Sequence, residues 1–314
     1  MSDDEARLPA VTVIVPVRDD PRLRDCLAAL QRQDYPAGLI DIVVADNGSR
    51  TDVAAALEPP GPVPTRLVRE PRGGSYTARN AALRVATGTV LAFTDADCRP
   101  DPGWLSAAVA ALTPGTGIVA GRVSVYARDA RRPHPVEAYE LLHAFPQRTY
   151  VSRGGACVTA NLVTTREVVD AAGPFLDDLM SGADIEWSQR VNHLGFRTRY
   201  VPEAVVAHPA RSSFGQVRAK LVRVMSGRAE RDRLEGRGVP THRPPARLWI
   251  PPLGAFRRAF RSRELPTARA KAALIVGEFH HRYVSAWIAS RMAAENRRAA
   301  RSDSVLALRD SVDE

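Results

Sequence analysis

Cysteine is scarce in this chain: Cys26, Cys98 and Cys157 are the only three among 314 residues, and no two form a C-x-x-C pair. So odd and scattered a set excludes a disulfide framework and a zinc site of paired cysteines, and it suits a reducing cytosol. Long apolar runs are missing as well. No stretch of about 18 apolar residues occurs, so nothing reads as a membrane-spanning helix. The opening MSDDEARLPA is acidic and lacks the apolar core of a secretory signal. Acids are outnumbered, 35 Asp plus Glu against 44 Lys plus Arg, for a net charge of +9. The excess is uneven: from Arg211 to Arg263 there are 14 Lys or Arg and three acids, Glu230, Asp232 and Glu235. Such a segment attracts phosphate-bearing partners. The remainder, 45% apolar and 25% charged, is that of an ordinary globular protein, and its length suits one large domain with an appendage.

The densest information lies in residues 73–98, GGSYTARNAALRVATGTVLAFTDADC. Ser75 is placed to cap a helix with Tyr76, Leu83 and Val85 on its apolar side, and Gly88 sits just past its end, where a left-handed residue is wanted. Val90 to Phe93 then reads as a strand buried on both faces. Asp95 and Asp97 emerge at its carboxyl end, where open α/β sheets bind ligands. Two carboxylates one residue apart in extended chain project to one side, and at ~4 Å they repel by roughly 4 kcal/mol at an effective dielectric near 20. A hard divalent cation such as Mg²⁺ or Mn²⁺ relieves that repulsion. The alternative is a solvated acidic turn, but this is the only D-x-D among 21 aspartates.

Val11 to Val17 is a second buried run, followed by a helix opening at Asp20-Pro21 with Leu23, Leu27 and Leu30 as its buried stripe. Ile40 to Ala45 is a third, opening into Asp46-Asn47-Gly48-Ser49. Strand, helix, strand and polar turn make a βαβ unit with parallel strands. Asp46 is placed either to accept a hydrogen bond from a base or ribose, or to serve the turn alone. Further on, the segment around Trp104, Ala108 and Leu112 is read as a helix and Ile118 to Val125 as a strand. Residues 127–150 are left as either an acceptor loop or a surface connection. Ala156 to Leu162 reads as a strand ahead of a short helix. Asp184 falls in the first turn of an amphipathic helix carrying Trp187, Val191 and Leu194, where the helix dipole favours a carboxylate. Glu186 points to another side of that helix. Phe196 to Ala207 reads as two short strands joined at Pro202, leading to His208.

Taken together, VTVIVPVRDD, VVADNGSRTD, GGSYTARNAAL and VLAFTDADCRPDPGWL resemble the nucleotide-binding half of the family 2 glycosyltransferases. The resemblance implies a GT-A α/β fold, Rossmann-like, with a mostly parallel central sheet flanked by helices. Pro16, Val17, Arg18 and Asp46 would hold the nucleobase, Arg79 and Asp95 the diphosphate, and Asp95, Asp97 and His208 a Mn²⁺ or Mg²⁺ ion. Asp184 would be the general base, with Ala183 in place of the family's usual Glu before it, and Glu186 a secondary candidate near the acceptor. Asn161 lies in a segment that lines the donor-sugar side in the family, or else serves the backbone.

The domain boundaries expected are a catalytic domain at 1–210, with a nucleotide-sugar half to about residue 105 and an acceptor half from 106, and a basic helical extension at 211–314. The charged end from Arg297 is expected to fray. LWIPPLGAFRRAF and the aromatic residues Phe279, Tyr283 and Trp287 suit either an anionic membrane interface or packing on the catalytic domain or a second subunit of a homo-oligomer. The absence of a recognisable module or stacking platform argues against nucleic acid. The expected activity is inverting transfer of one sugar from a nucleoside diphosphate-sugar to a hydroxyl of a glycan, glycolipid or small molecule. It is placed in cell-envelope glycan or polysaccharide synthesis, in the cytoplasm or peripherally on the inner membrane face. The family's polymerising Q-x-x-R-W motif is absent. The competing readings are a sugar-nucleotide pyrophosphorylase, which would want a glycine-rich loop where Pro16-Val17-Arg18-Asp19 stands, and a non-catalytic membrane or polyanion binder.

Overall fold

The structure is a computed structural model that describes residues 8–234, 236–238 and 246–310, for 247 and 299–310 the backbone alone. The chain divides into two compact units, Met1–Tyr126 with Ala144–Pro209, and Ala127–His143 with Ala210–Glu314.

The first unit is built on one eight-stranded sheet in the order β3-β2-β1-β4-β7-β6-β8-β5. Its strands are β1 (Val11–Val17), β2 (Ile40–Asp46), β3 (Thr65–Arg69), β4 (Val90–Phe93), β5 (Arg99–Pro100), β6 (Thr116–Tyr126), β7 (Leu162–Thr165) and β8 (Arg197–Pro209). β3, β2, β1 and β4 run parallel, β7 is antiparallel to β4 and β6, β6 and β8 are parallel, and β5 is antiparallel to β8. The alternation along β1 shows why its whole run is apolar. Val13 and Val15 enter a core layer with α1 (Leu23–Leu30) and α3 (Trp104–Ala110). Ile14 enters the opposite layer with α2 (Ser75–Val85) and α7 (Ala183–His193). A strand covered by helices on both faces has no polar face to show.

Several local readings shift. α2 is preceded by Gly74 at φ 132°, so the cap position falls on a glycine and Ser75 is the first helical residue. Asp20 lies two residues ahead of α1's cap, Arg22, and accepts its N–H at 3.0 Å. Gly88 is demanded by closeness rather than by a left-handed turn: a Cβ there would lie 2.5 Å from the Thr12 nitrogen. Residues 156–161 do not form a strand. They lead into a 3-10 turn over Thr159–Asn161, and β7 begins at Leu162. Residues 197–209 are one strand with an irregularity, because the register jumps from Gly121↔Val201 to Arg122↔Val205 and Pro202, which has no N–H to donate, drops out of the ladder. The stretch read as irregular contains α4 (Pro135–His143) and α5 (Gln147–Gly154), and α6 (Arg166–Ala172) follows β7.

The second unit packs α4, α9 (Gly254–Arg261) and α10 (Ala268–Asp310) around Ala138, Ala259, Leu265, Ala270 and Leu274, and α8 (Phe214–Leu234) lies against α10. The backbone of α10 runs on past Arg297, where the sequence reads as a fraying end. Two buried carboxylates sit among these helices. Glu140 receives Arg211 at 2.8 Å and Lys220 at 2.9 Å, and Glu278 receives Arg258 and His143. No described helix is long and apolar enough to cross a membrane.

Candidate active site

Parallel strands put their carboxyl ends on one edge, and the first site residues stand there. Asp46 closes β2 opposite Val17, the last residue of β1. Its Oδ1 accepts the Ser49 N–H at 2.9 Å, and its other oxygen has no hydrogen-bond partner among the described residues. The exit of β1 is fastened to the same turn by Asp19, which holds φ 49°. The Asp19 carboxylate accepts the N–H groups of Arg50 at 2.8 Å and Thr51 at 3.1 Å, and its own N–H donates to Ser49 Oγ at 3.0 Å. Pro16 and Val17 are buried under this turn, and Arg18 is exposed.

Asp95 and Asp97 follow β4, and sheet pairing brings the histidine to them. β5 begins two residues after Asp97 and pairs Arg99 with Ala207 on β8, so His208 comes alongside. Ligand atoms of Asp95, Asp97, Cys98 and His208 lie within 4.8 Å of one another. His208 Nδ1 is 2.7 Å from the Pro209 carbonyl, which can only accept, so Nδ1 carries the proton. Nε2 faces Asp97 Oδ1 at 3.6 Å, and with Nδ1 committed to the carbonyl it is the ring nitrogen placed to ligate a cation. Burial pushes the Asp97 carboxyl up, with His208 opposing and the Asp95 charge adding to the rise. Arg22 Nη2, itself held by Asp20, reaches Asp97 at 3.4 Å. Burial also keeps the Cys98 thiol well above its usual range and so protonated. The donor set that remains is two carboxylates and an imidazole, which fits Mn²⁺ or Mg²⁺.

Arg79 is 3% exposed. Its guanidinium bonds Asp95 Oδ1 and the Ser75 carbonyl, while its buried Nε has no hydrogen-bond partner. It lies 5.5 Å over the Tyr76 ring. Tyr76 in turn reaches Asp184, donating from its hydroxyl to Oδ1 at 3.0 Å. Asp184 is 8% exposed in the first turn of α7. Burial raises its pKa, opposed by the hydrogen bond from Tyr76 and the charge of Arg79.

The structure therefore gathers Asp95, Asp97, His208 and Arg79, and ties Asp184 to them through Tyr76. Glu186 stands apart, engaged with Arg190 at 2.9 and 3.0 Å, whose guanidinium also bonds the carbonyls of Ala172 and Pro174. Asn161 serves the backbone: its Nδ2 donates to Arg122 O at 3.0 Å and Ala204 O at 2.9 Å, and its Oδ1 accepts Trp104 Nε1 at 2.8 Å. The sequence reading passed over three members of the site. Arg22 and Asp19 lie in the loop after β1, and helical periodicity counts Tyr76 as apolar. The rule that a buried Tyr hydroxyl needs a partner was the signal available for it.

Residues 12–171 match the family described as Glycosyl transferase family 2. Glycosyltransferase AglE of Haloferax volcanii is 31% identical across 71% of this chain and 74% of its own length. The pre-mycofactocin glycosyltransferase of Mycobacterium tuberculosis is 28% identical across 64% of this chain, which spans 43% of that relative. Two solved structures share the fold. The mannosyltransferase PcManGT from Pyrobaculum calidifontis, in complex with GDP-Man and Mn²⁺, aligns over 98% of this chain and 81% of its own with a TM-score of 0.55 at 21% identity. S. aureus TarS 1–349 in complex with UDP-GlcNAc aligns over 88% and 90% with a TM-score of 0.53 at 14% identity. The chain belongs to the family 2 glycosyltransferases, enzymes of sugar transfer, and carries their GT-A α/β fold.

Proposed function

We propose that this glycosyltransferase moves one sugar from a nucleoside diphosphate-sugar to an acceptor hydroxyl, with inversion, in glycan, glycolipid or polysaccharide synthesis for the cell envelope. The observation that carries the reading is the meeting of Asp95, Asp97 and the inward Nε2 of His208, with Arg79 alongside. In this reading the open oxygen of Asp46 accepts a hydrogen bond from the base or ribose, beside Pro16, Val17 and Arg18. Arg79 offers its unpartnered Nε to the diphosphate. A divalent cation held by Asp95, Asp97 and His208 would supply positive charge against the leaving diphosphate. Asp184, with a pKa raised by burial, is the stronger base for it and takes the acceptor's proton as that oxygen attacks the anomeric carbon from the opposite face. One displacement inverts the configuration. Glu186 stays with Arg190 and steadies the helix that carries Asp184.

The test is a thermal-shift screen of UDP, GDP and dTDP sugars with Mn²⁺, followed by nucleoside diphosphate release. A donor at 100 times its Kd stabilises by about 2.7 kcal/mol. Asp184→Asn should abolish transfer and leave that shift intact. A chain that no sugar nucleotide stabilises, and that releases no nucleoside diphosphate, overturns the reading.

The location proposed is the cytoplasmic face of an anionic membrane. α9 buries Ala255 and Ala259 and exposes Phe256, Phe260 at 83% and, just ahead, Leu253 at 68%, with Arg257 and Arg261 beside them. Aromatic and aliphatic groups flanked by arginine suit an acidic lipid surface. Phe256→Ser with Phe260→Ser should abolish cosedimentation with vesicles containing phosphatidylserine; unchanged sedimentation removes this location.

A further inference from the structure

We infer that Tyr76 is the positioning residue of the proposed base, its hydroxyl filling Oδ1 of Asp184 so that Oδ2 is the oxygen left to take the acceptor's proton. The inference rests on the reading of Asp184 as the base.

Oδ1 accepts two hydrogen bonds, from Tyr76 Oη at 3.0 Å and from the Ile185 N–H at 3.0 Å. Oδ2 accepts one, from the Thr159 N–H at a longer 3.3 Å. A carboxylate oxygen offers about two lone-pair positions, so Oδ1 is filled and Oδ2 keeps one open. The direction of the Tyr76 proton is fixed as well. The Gly182 N–H donates to Tyr76 Oη at 3.2 Å, so that oxygen acts as acceptor toward Gly182 and must spend its own proton on Asp184. Gly182 holds φ 89°, a left-handed conformation that glycine adopts without strain, and this places the N–H ahead of the helix. The ring cannot drift far: it packs against Phe175 at 5.9 Å between centroids and lies under the Arg79 guanidinium.

The groups facing Asp184 come from three elements. Tyr76 and Arg79 stand on α2, Tyr150 on α5, and Cys157 just before the 3-10 turn. Burial holds Tyr76, Tyr150 and Cys157 protonated, which leaves Arg79 as the one charged group among them. The step balances simply. The acceptor O–H bond breaks and its proton goes to Oδ2, the acceptor oxygen bonds the anomeric carbon, and the bond to the diphosphate breaks with its electron pair on phosphate.

Tyr76→Phe keeps the ring and its contacts and removes one donor to the ionised form. The acid limb of kcat/KM against pH, which reports the base in the free enzyme, should then move to higher pH. kcat should fall about 10-fold, the cost of one hydrogen bond to a charged group, with the donor's thermal shift in Mn²⁺ unchanged. 3-Fluorotyrosine at position 76, a stronger donor, should move the limb the other way and serves if the phenylalanine variant does not fold. A limb that stays in place in either variant, while Asp184→Asn is inactive, overturns the positioning role alone. Retained transfer in Asp184→Asn overturns the base reading itself.

Discussion

At the scale of single residues, Asp184 and Asn161 show two uses of a buried polar group. Asn161 spends both donors and its side-chain acceptor on partners that hold the 3-10 turn to β6, β8 and α3. Asn161→Leu should therefore destabilise by about 2–4 kcal/mol in urea unfolding, because Arg122 O, Ala204 O and the Trp104 indole N–H lose their partner. Asp184 behaves oppositely. Its folded-state pKa is raised, so in the ionised form it costs stability, a cost that appears as pH rises through its ordinary value near 3.8 toward the folded value. Asp184→Asn should accordingly melt at a higher temperature than the parent at neutral pH while losing transfer; a lower melting temperature would deny that the charge is strained. Asp97 and His208 are bound to each other's geometry. His208→Ala should weaken Mn²⁺ binding, read by calorimetry with a nucleoside diphosphate present, by 10-fold or more, as loss of one ligand from a small set does.

Elements come from patterns, and here the sequence is legible where one rule dominates. The apolar runs at Val11, Ile40 and Val90 became β1, β2 and β4 because burial on both faces leaves no other reading, and the D-x-D after the third stands in the candidate site. The rule fails where a side chain competes with the backbone ladder. Ala156 to Asn161 is apolar enough for a strand, but the Gln147 amide donates to Asn161 O at 3.1 Å and its Oε1 accepts the Val158 N–H at 3.0 Å. Those bonds claim the groups a strand would need, and they come from a helix the sequence did not announce. Tyr76 escaped for a related reason: helical periodicity counts it as apolar, and only the fold brings α7 within reach of its hydroxyl. Gly88 reads from its position as a left-handed helix end, whereas the fold requires it for the close approach of the Thr12 backbone. Gly88→Ala should cost at least as much as an overpacked core residue, roughly 1–3 kcal/mol by chemical denaturation, since the added carbon meets the Thr12 backbone rather than a side chain able to swing away.

For the molecule as a whole, acid sensitivity has an identifiable source in Glu70, at the end of β3. Its hydrogen bonds from Arg72 side chain and backbone, with the Arg84 charge farther off, hold its carboxyl down at about 2. A depressed carboxylate contributes stability that is complete above its unfolded pKa near 4.5 and is lost as pH falls through the folded value. Glu70→Gln should flatten the decline of the urea midpoint between those two pH values. The largest consequence, however, lies in how the second unit is strung together. Its α4 comes from the middle of the chain and its other helices from the end, and Glu140 on α4 meets its cations, Arg211 and Lys220, from that end. Ribosomal synthesis therefore delivers Glu140 some seventy residues before either cation. Until they arrive the carboxylate must stay hydrated and α4 cannot close over it, because burying it unpaired costs several kcal/mol. The basic helical extension is the second half of a clasp whose first half is already made, and a stop codon after Pro209 would leave that half open for the life of the protein.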